Sequence, residues 1–418
     1  MSRIGFIGLG KLGLPVALVF ESKGHKVVGY DVNPEVSRYL EEKKIPFYEK
    51  GIQPYLDRTK IKIMPMSQVI KSSELIFMPV QTPHDPQYEG STRIPLDRKD
   101  FDYSYLIQAI KDVAAECAEQ KKHIYLAVIS TCLPGTFERE IKPILNEYIH
   151  YVYTPQFIAM GTVIDDILNP EFILTGIDDR DYFSEKSPDL VMDKFWSTIY
   201  GEDHDIPTVE TDVTTAEGVK VSYNTYITLK TVLANTWGEL SAKLGMNFGD
   251  IYRAWAASDR RLLSTKYLKA GMGDGGGCHP RDNIALSFIA DKVGLSHNIF
   301  DDLMRAREGH AEWLANVAME FSGGLPILML GRAFKPETNI ETGSPSILVA
   351  NIIREKGGTV DHVEDAEEEQ MGDYPCIFIG TSHNRYKQYE FPKGSTVVDP
   401  FGIIPDQRDV TVIRLGRY

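Results

Sequence analysis

Cysteine is scarce in this chain of 418 residues: there are four, Cys117, Cys132, Cys278 and Cys376, and no two stand in CxxC spacing. That excludes a disulfide framework and a structural zinc site and points to a reducing compartment. Positive charge is also short. Against 59 aspartates and glutamates stand 45 lysines and arginines, a net charge of −14, which is the wrong sign for a nucleic-acid binder. An anionic ligand must be met by local positive groups instead. No apolar run approaches the length of a membrane span, and the N-terminal MSRIGFIGLG carries glycines but no small-residue cleavage signal. These absences predict a cytoplasmic protein with no membrane partner, long enough for two or three domains.

What is present begins at the N-terminus. The β-prone run Ile4 to Ile7 leads straight into GLGKLG, Gly8 to Gly13. A helical stretch ending at Gly24 follows, then KVVGYD, a second strand ending at Asp31. Strand, GxGxxG, helix, strand and acid together form the dinucleotide fingerprint. Gly8 allows the tight turn, Gly10 lets a pyrophosphate approach, and Gly13 lets helix and strand pack closely. The turn residues Lys11 and Leu12 are counted with them as cofactor contacts. Asp31 is placed to accept from ribose hydroxyls and would repel a 2′-phosphate, so NAD is expected rather than NADP.

Further strands are predicted at Glu74–Val80, His123–Thr131 and His150–Pro155, with helices at Tyr105–Ala118 and Phe137–Tyr148. The alternation predicts a parallel α/β sheet. Ligands of such sheets bind beyond the carboxyl ends of the strands. Thr82, Thr131 and Gln156 stand there, although ordinary turn chemistry also explains residues of these types. The polar loop from His84 to Asp102 is a candidate lid or oligomer contact.

From Thr214 to Gly245 the chain reads as one long helix, opened by Thr214 and Glu217 in capping-box spacing. Val219, Tyr223, Tyr226, Leu229 and Leu233 form a stripe expected to face a core. Lys220 and Asn224, four apart, leave the helix on one side and are suited to stabilise an oxyanion, if they are not simply solvated surface. More helix is expected from Phe248 to Ala257. GMGDGGGCHPRD follows, Gly271 to Asp282, with Pro280 favouring a helix start just after Cys278. A helix N-terminus favours the thiolate form of that cysteine, and Asp282 could hold or relay a proton. From Leu325 an α/β pattern returns, and Arg332 and Lys335 follow its first strand, as phosphate contacts or as surface charge.

The segments GLGKLGLP, STCLPGT, TPQF, AEGVKVSYNTYITLK, YLKAGMGDGGGCHPRD and LGRAFKPETN, in this order, resemble the UDP-glucose/GDP-mannose dehydrogenase family along nearly the whole chain. The resemblance implies an α/β protein in three parts: an N-terminal Rossmann-type NAD-binding domain (1–205), a central long-helix domain forming a homodimer core (206–310), and a second Rossmann-like nucleotide-sugar domain (311–418). It implies an NAD-dependent enzyme that oxidises the primary alcohol of UDP-glucose or a related sugar to a carboxylate. Cys278 would attack the aldehyde stage to give a thiohemiacetal and then a thioester. Lys220 and Asn224 would stabilise oxyanions, and Asp282 and Thr131 would assist proton transfer through water. Phe157, Met160, Tyr267, Gly271, Gly275 and Lys335 would contact the nucleotide sugar, and Arg261 would reach it across a subunit boundary.

Several positions depart from the family pattern. Gln156 and Met160 stand where glutamates are usual, and a glutamine cannot take a proton. Thr342 and Phe401 stand in place of arginines. A two-electron dehydrogenase of the β-hydroxyacid type and a catalytically weak nucleotide-sugar binder are the alternatives, the first opposed by Cys278 and the C-terminal α/β unit, the second by retention of Cys278, Lys220, Asn224 and Asp282.

Overall fold

The computed structural model describes residues 3–83, 99–178, 187–264, 266, 270–274 and 279–415, apart from the Arg281 side chain. Cys278, Tyr267, Gly275 and most of the loop between His84 and Asp102 lie outside the described residues. Two compact units divide the chain, Met1–Thr228 and Leu229–Tyr418.

The first unit is built on eight strands: β1 (Arg3–Ile7), β2 (Lys26–Tyr30), β3 (Lys62–Ile63), β4 (Leu75–Met78), β5 (Ile124–Val128), β6 (Ile149–Tyr153), β7 (Ile173–Ile177) and β8 (Thr208–Asp212). Their order is β3-β2-β1-β4-β5-β6-β7-β8. Neighbours are parallel except β6 and β7, which run antiparallel. Alternation along the strands sorts the apolar side chains to two faces. Ile4, Phe6, Leu75 and Phe77 join α1 (Gly13–Ser22) in one core, where the rings of Phe6, Phe20, Phe77, Phe195 and Trp196 pack together. Ile7, Ile76 and Met78 face the other core with α2 (Ser104–Gln120). The predicted helix Phe137–Tyr148 does not form. One wide turn (Phe137–Ile141) and a short one (Lys142–Ile144) take its place. Pro143 has no N–H to continue the ladder, and Asn146 Oδ1 accepts from Tyr148 N at 3.1 Å, turning the chain into β6.

The long helix α3 (Val213–Leu244) is present, and the boundary between the two units falls inside it. Its first turn is capped by Asp212, not by the expected Thr214–Glu217 box. Asp212 Oδ1 accepts from Thr215 N at 2.9 Å, and Glu217 points elsewhere. The expected core stripe is interrupted in its middle: Tyr226 is 45% and Leu229 46% exposed, while Val219, Tyr223 and Leu233 are half-buried.

The second unit holds α4 (His279–Lys292), α5 (Ile299–Ser322) and a five-stranded parallel sheet. Its strands are β9 (Ile327–Leu330), β10 (Val360–Val363), β11 (Cys376–Ile379), β12 (Thr396–Asp399) and β13 (Thr411–Arg414), in the order β10-β9-β11-β12-β13, with α6 (Pro345–Glu355) between β9 and β10. Leu314, Ala315 and Ala318 of α5 pack on Ile327, Met329 and Phe378, and Met272 is buried among them. Cys117, Cys132 and Cys376 are free and buried in the two units, and burial pushes the thiols of Cys117 and Cys376 up to about 12. Among the described residues no helix is long and apolar enough to cross a membrane.

The cap assignment is testable in urea. Asp212→Ala should cost about 1 kcal/mol of unfolding free energy, whereas Thr214→Ala should stay within about 0.5 kcal/mol of the parent.

Candidate functional site

The carboxyl ends of β1, β2, β4, β5 and β6 all reach one edge of the first unit's sheet. At β1, Gly8 takes φ +101°, a conformation that side-chain-bearing residues resist, and its N–H donates to Tyr30 O at 2.9 Å. Gly13 opens α1 so close to this turn that a Cβ there would stand 2.4 Å from Gly8 O. Around Gly10 the opposite holds, for a Cβ would meet nothing within 4 Å. Lys11 is exposed, and Leu12 is half-buried against the core just before α1. Asp31 directly follows β2, with one oxygen accepting from Leu9 N at 2.6 Å and the other from Asn33 N at 2.8 Å. Each oxygen therefore keeps a lone pair for a ligand hydroxyl.

Beyond β4 and β5, Thr82 Oγ1 donates to Thr131 O at 3.0 Å, so these two expected site residues lie side by side. The loop after β5 is fastened from three directions. Tyr153 OH accepts from Cys132 N at 3.3 Å, Tyr103 OH accepts from Leu133 N at 3.2 Å, and the Glu217 carboxylate accepts from Gly135 N at 2.7 Å and Phe137 N at 2.8 Å.

After β6, Gln156 O accepts from Lys220 Nζ at 2.7 Å. Lys220 is 9% exposed, and its ammonium stands 4.8 Å from the centre of the Phe157 ring. Burial lowers its pKa below the ordinary lysine value. Among the described residues Gln156 O is the one hydrogen-bond acceptor Lys220 meets, so two of its three N–H donors are unspent. Phe157 in turn packs against Phe172 and Tyr223. The Gln156 amide donates to Thr154 O at 3.0 Å. Asn224, one turn beyond Lys220, is exposed, and Met160 is 58% exposed.

The second unit carries the remaining expected residues. Gly271 O accepts from His310 at 2.7 Å, and Phe401 packs against the same glycine. Asp282 lies in the first turn of α4, Arg261 is exposed, and Lys335 is exposed with its ammonium 5.3 Å from the Phe334 ring. Arg332 is committed internally: its guanidinium forks onto Glu341 with both contacts at 2.7 Å, and its backbone N donates to Glu364. That last contact repeats the N-terminal design. In each unit the acid that follows the second strand, Asp31 or Glu364, accepts from the backbone N–H two residues past the first strand, that of Leu9 or Arg332.

Residues 2–189 match the NAD binding domain of the UDP-glucose/GDP-mannose dehydrogenase family, and residues 214–308 match its central domain. The chain belongs to this family. It is 25% identical to UDP-glucose 6-dehydrogenase of Rhizobium meliloti over 98% of this chain and 95% of that one. It is 27% identical to UDP-N-acetyl-D-mannosamine dehydrogenase of Pyrococcus horikoshii over 92% and 90%. A ternary complex of GDP-mannose dehydrogenase from Pseudomonas aeruginosa shares the fold, with a TM-score of 0.84 at 21% identity over 98% and 99% of the two chains.

As a member of this family the protein is an NAD-dependent oxidoreductase, and its N-terminal unit carries the NAD-binding domain. The residues fit that cofactor. The open space at Gly10 and the N-terminus of α1 suit a pyrophosphate, and the lone pairs of Asp31 suit a ribose. Val32, beside Asp31, is 85% exposed. That Tyr103, Tyr153 and Glu217 hold the loop after β5 is not legible in the sequence. The signal for Glu217 is its spacing: Val213, Ala216, Glu217 and Lys220 are all buried, so two charges occupy the buried stripe of a helix.

Gly10→Val separates binding from folding. The variant should melt with the parent, because the added side chain meets open space, while its Kd for NAD+ in calorimetry rises by about tenfold or more as the pyrophosphate loses its close approach.

Proposed function

We propose that this protein carries out the four-electron oxidation of a nucleotide sugar's primary alcohol to a carboxylate, UDP-glucose to UDP-glucuronate or a related pair. The observation that carries the reading is Lys220: a desolvated ammonium with unspent donors, held beyond the carboxyl end of β6 in the NAD-binding unit. Such a group stabilises negative charge on a substrate oxygen far better than an ammonium in water. Bound NAD+ supplies the hydride acceptor, twice per sugar, and one water supplies the second carboxylate oxygen.

The protein's own groups then divide the work. Lys220, with Asn224 one turn on, holds the oxygen of the reacting carbon while it carries charge. Cys278 adds its thiolate to the aldehyde, and the thiohemiacetal becomes a thioester when the second hydride leaves. Water cleaves the thioester and returns the thiol. Thr131 and Asp282 move protons through water. Gln156 orients through its backbone carbonyl and takes no proton, so the base for hydrolysis lies elsewhere. Phe157, Met160, Arg261, Tyr267, Gly271, Gly275 and Lys335 are the proposed sugar and nucleotide contacts. The division into 1–205, 206–310 and 311–418 belongs to the same proposal, as do a homodimer covering the exposed Tyr226 and Leu229 flank, a cytoplasmic setting and a role in supplying acidic sugars for polysaccharides.

A second reading, a nucleotide-sugar binder with little turnover, is favoured by one observation: the Gln156 amide is turned onto Thr154 O, and neither it nor Met160 can act as a base. A panel of UDP-glucose, GDP-mannose and UDP-N-acetylmannosamine with NAD+ separates the readings. Two NADH per sugar consumed is the expected count for the true substrate. One NADH per sugar indicates a two-electron enzyme, and none with any member indicates the binder. Cys278→Ser should stop at the aldehyde stage, and normal acid production by that variant would exclude the thioester route.

A further inference from the structure

Glu217 has no part in the reaction as described, yet it is a fully buried carboxylate on the helix that bears Lys220. Its two oxygens accept from Gly135 N and Phe137 N, separately, in the loop that follows Thr131. Three residues further along the same helix, Lys220 is hooked to Gln156 O. The loop that carries Thr131 and the segment that carries Gln156 are thus both pinned to one turn of α3. We propose that Glu217 is a positioning residue, a latch that holds the Thr131 loop and the NAD+ edge of the site in register with Lys220. The inference rests on the reading of Lys220 and Thr131 given above.

The chemistry of the latch requires both oxygens to be acceptors. A glutamine in this place would keep one acceptor and turn an NH2 toward the other amide N–H, leaving a buried donor without a partner. The ionisation state matters for the same reason. Burial pushes the Glu217 carboxyl up to about 7, against the pull of the amides of Phe137, Gly135 and Thr136 and of the Arg139 charge. Of the other groups around it, Arg139 is paired with Asp100 and Glu140 and remains charged. Burial pushes Tyr103 up to about 12 and raises Cys132, Tyr151 and Tyr153 as well, so none of these titrates near neutral pH. On acidification through about 7, one Glu217 oxygen becomes a donor facing an N–H and half of the latch opens.

Stability runs the other way. The folded carboxyl holds its proton more tightly than the ordinary value of 4.5, so the stability it contributes is full below about 4.5 and is lost as pH rises through about 7. The site is therefore tightest where this residue stabilises the fold least, a conflict expected of a group kept for function.

The test uses the full-length protein, without sugar, as wild type and as Glu217→Gln. Amide hydrogen exchange at Gly135 and Phe137 and the Kd for NAD+ are measured at pH 6 and pH 8. In Glu217→Gln, exchange at one or both amides should quicken by about tenfold or more, the scale of one lost charge-assisted hydrogen bond. The Kd should rise by several-fold and lose the pH dependence that the wild type shows between these values. A folded variant with wild-type exchange, Kd and pH profile would overturn the proposal. Should the variant not fold, the wild type decides: one of the two amides must lose protection at pH 6 after correction for intrinsic exchange, and equal protection at both pH values would overturn the latch. None of these readouts needs turnover, so a protein that oxidises no nucleotide sugar would refute the proposed function while leaving the latch to stand or fall on its own data.

Discussion

A positive charge taken out of water is the constraint around which the first unit is arranged. Lys220 lies 91% removed from solvent with a single carbonyl, Gln156 O, as its acceptor among the described residues. Left without further partners, a buried ammonium costs several kcal/mol, and the lowered pKa is the sign of that cost. The Phe157 ring offsets a part of it through its negative face. A site that tolerates such a charge is poised to receive negative charge, and Lys220 lies at the carboxyl ends of the strands, where sheets of this kind bind ligands.

Everything near that charge is held by groups distant in sequence. β6 positions Gln156, α3 positions Lys220, and the loop after β5 is tied down by Tyr103, Tyr153 and Glu217. Thr82 closes the ring by donating to Thr131 O. The second unit shows the same backbone device without its opening. There Glu364 receives the Arg332 amide as Asp31 receives that of Leu9, but Glu364 also pairs with Arg385, and the Arg332 side chain is folded onto Glu341. The N-terminal acid is left with room for a ribose, and the C-terminal acid is consumed by the protein itself.

The sequence carried the local parts of this well. Periodicity located β1, β2 and β4 to β6 and the return of an α/β pattern at β9, and the glycine spacing located the NAD turn, because each depends on neighbours within a few residues. It failed where a distant group decides. Thr214 and Glu217 have capping-box spacing, but Asp212 takes the cap, and Glu217 is drawn to amides some eighty residues away in sequence. Phe137–Tyr148 has helical apolar spacing, but Pro143 and Asn146 end it. Lys220 and Asn224 share a helix face and still differ, one buried and one exposed, because only Lys220 lies under the segment after β6. The stripe through Tyr226 and Leu229 reads as core, yet one chain leaves those side chains half in solvent.

The desolvation of Lys220 is open to direct measurement. With lysines carrying 13C at Cε, the resonance assigned to Lys220 by its loss in Lys220→Met is followed through an alkaline titration. The burial of Lys220 predicts a midpoint below the ordinary lysine value of 10.5. A Lys220 resonance that titrates together with the surface lysines would contradict a buried, poised ammonium, and with it the account of how this site meets a charged substrate oxygen.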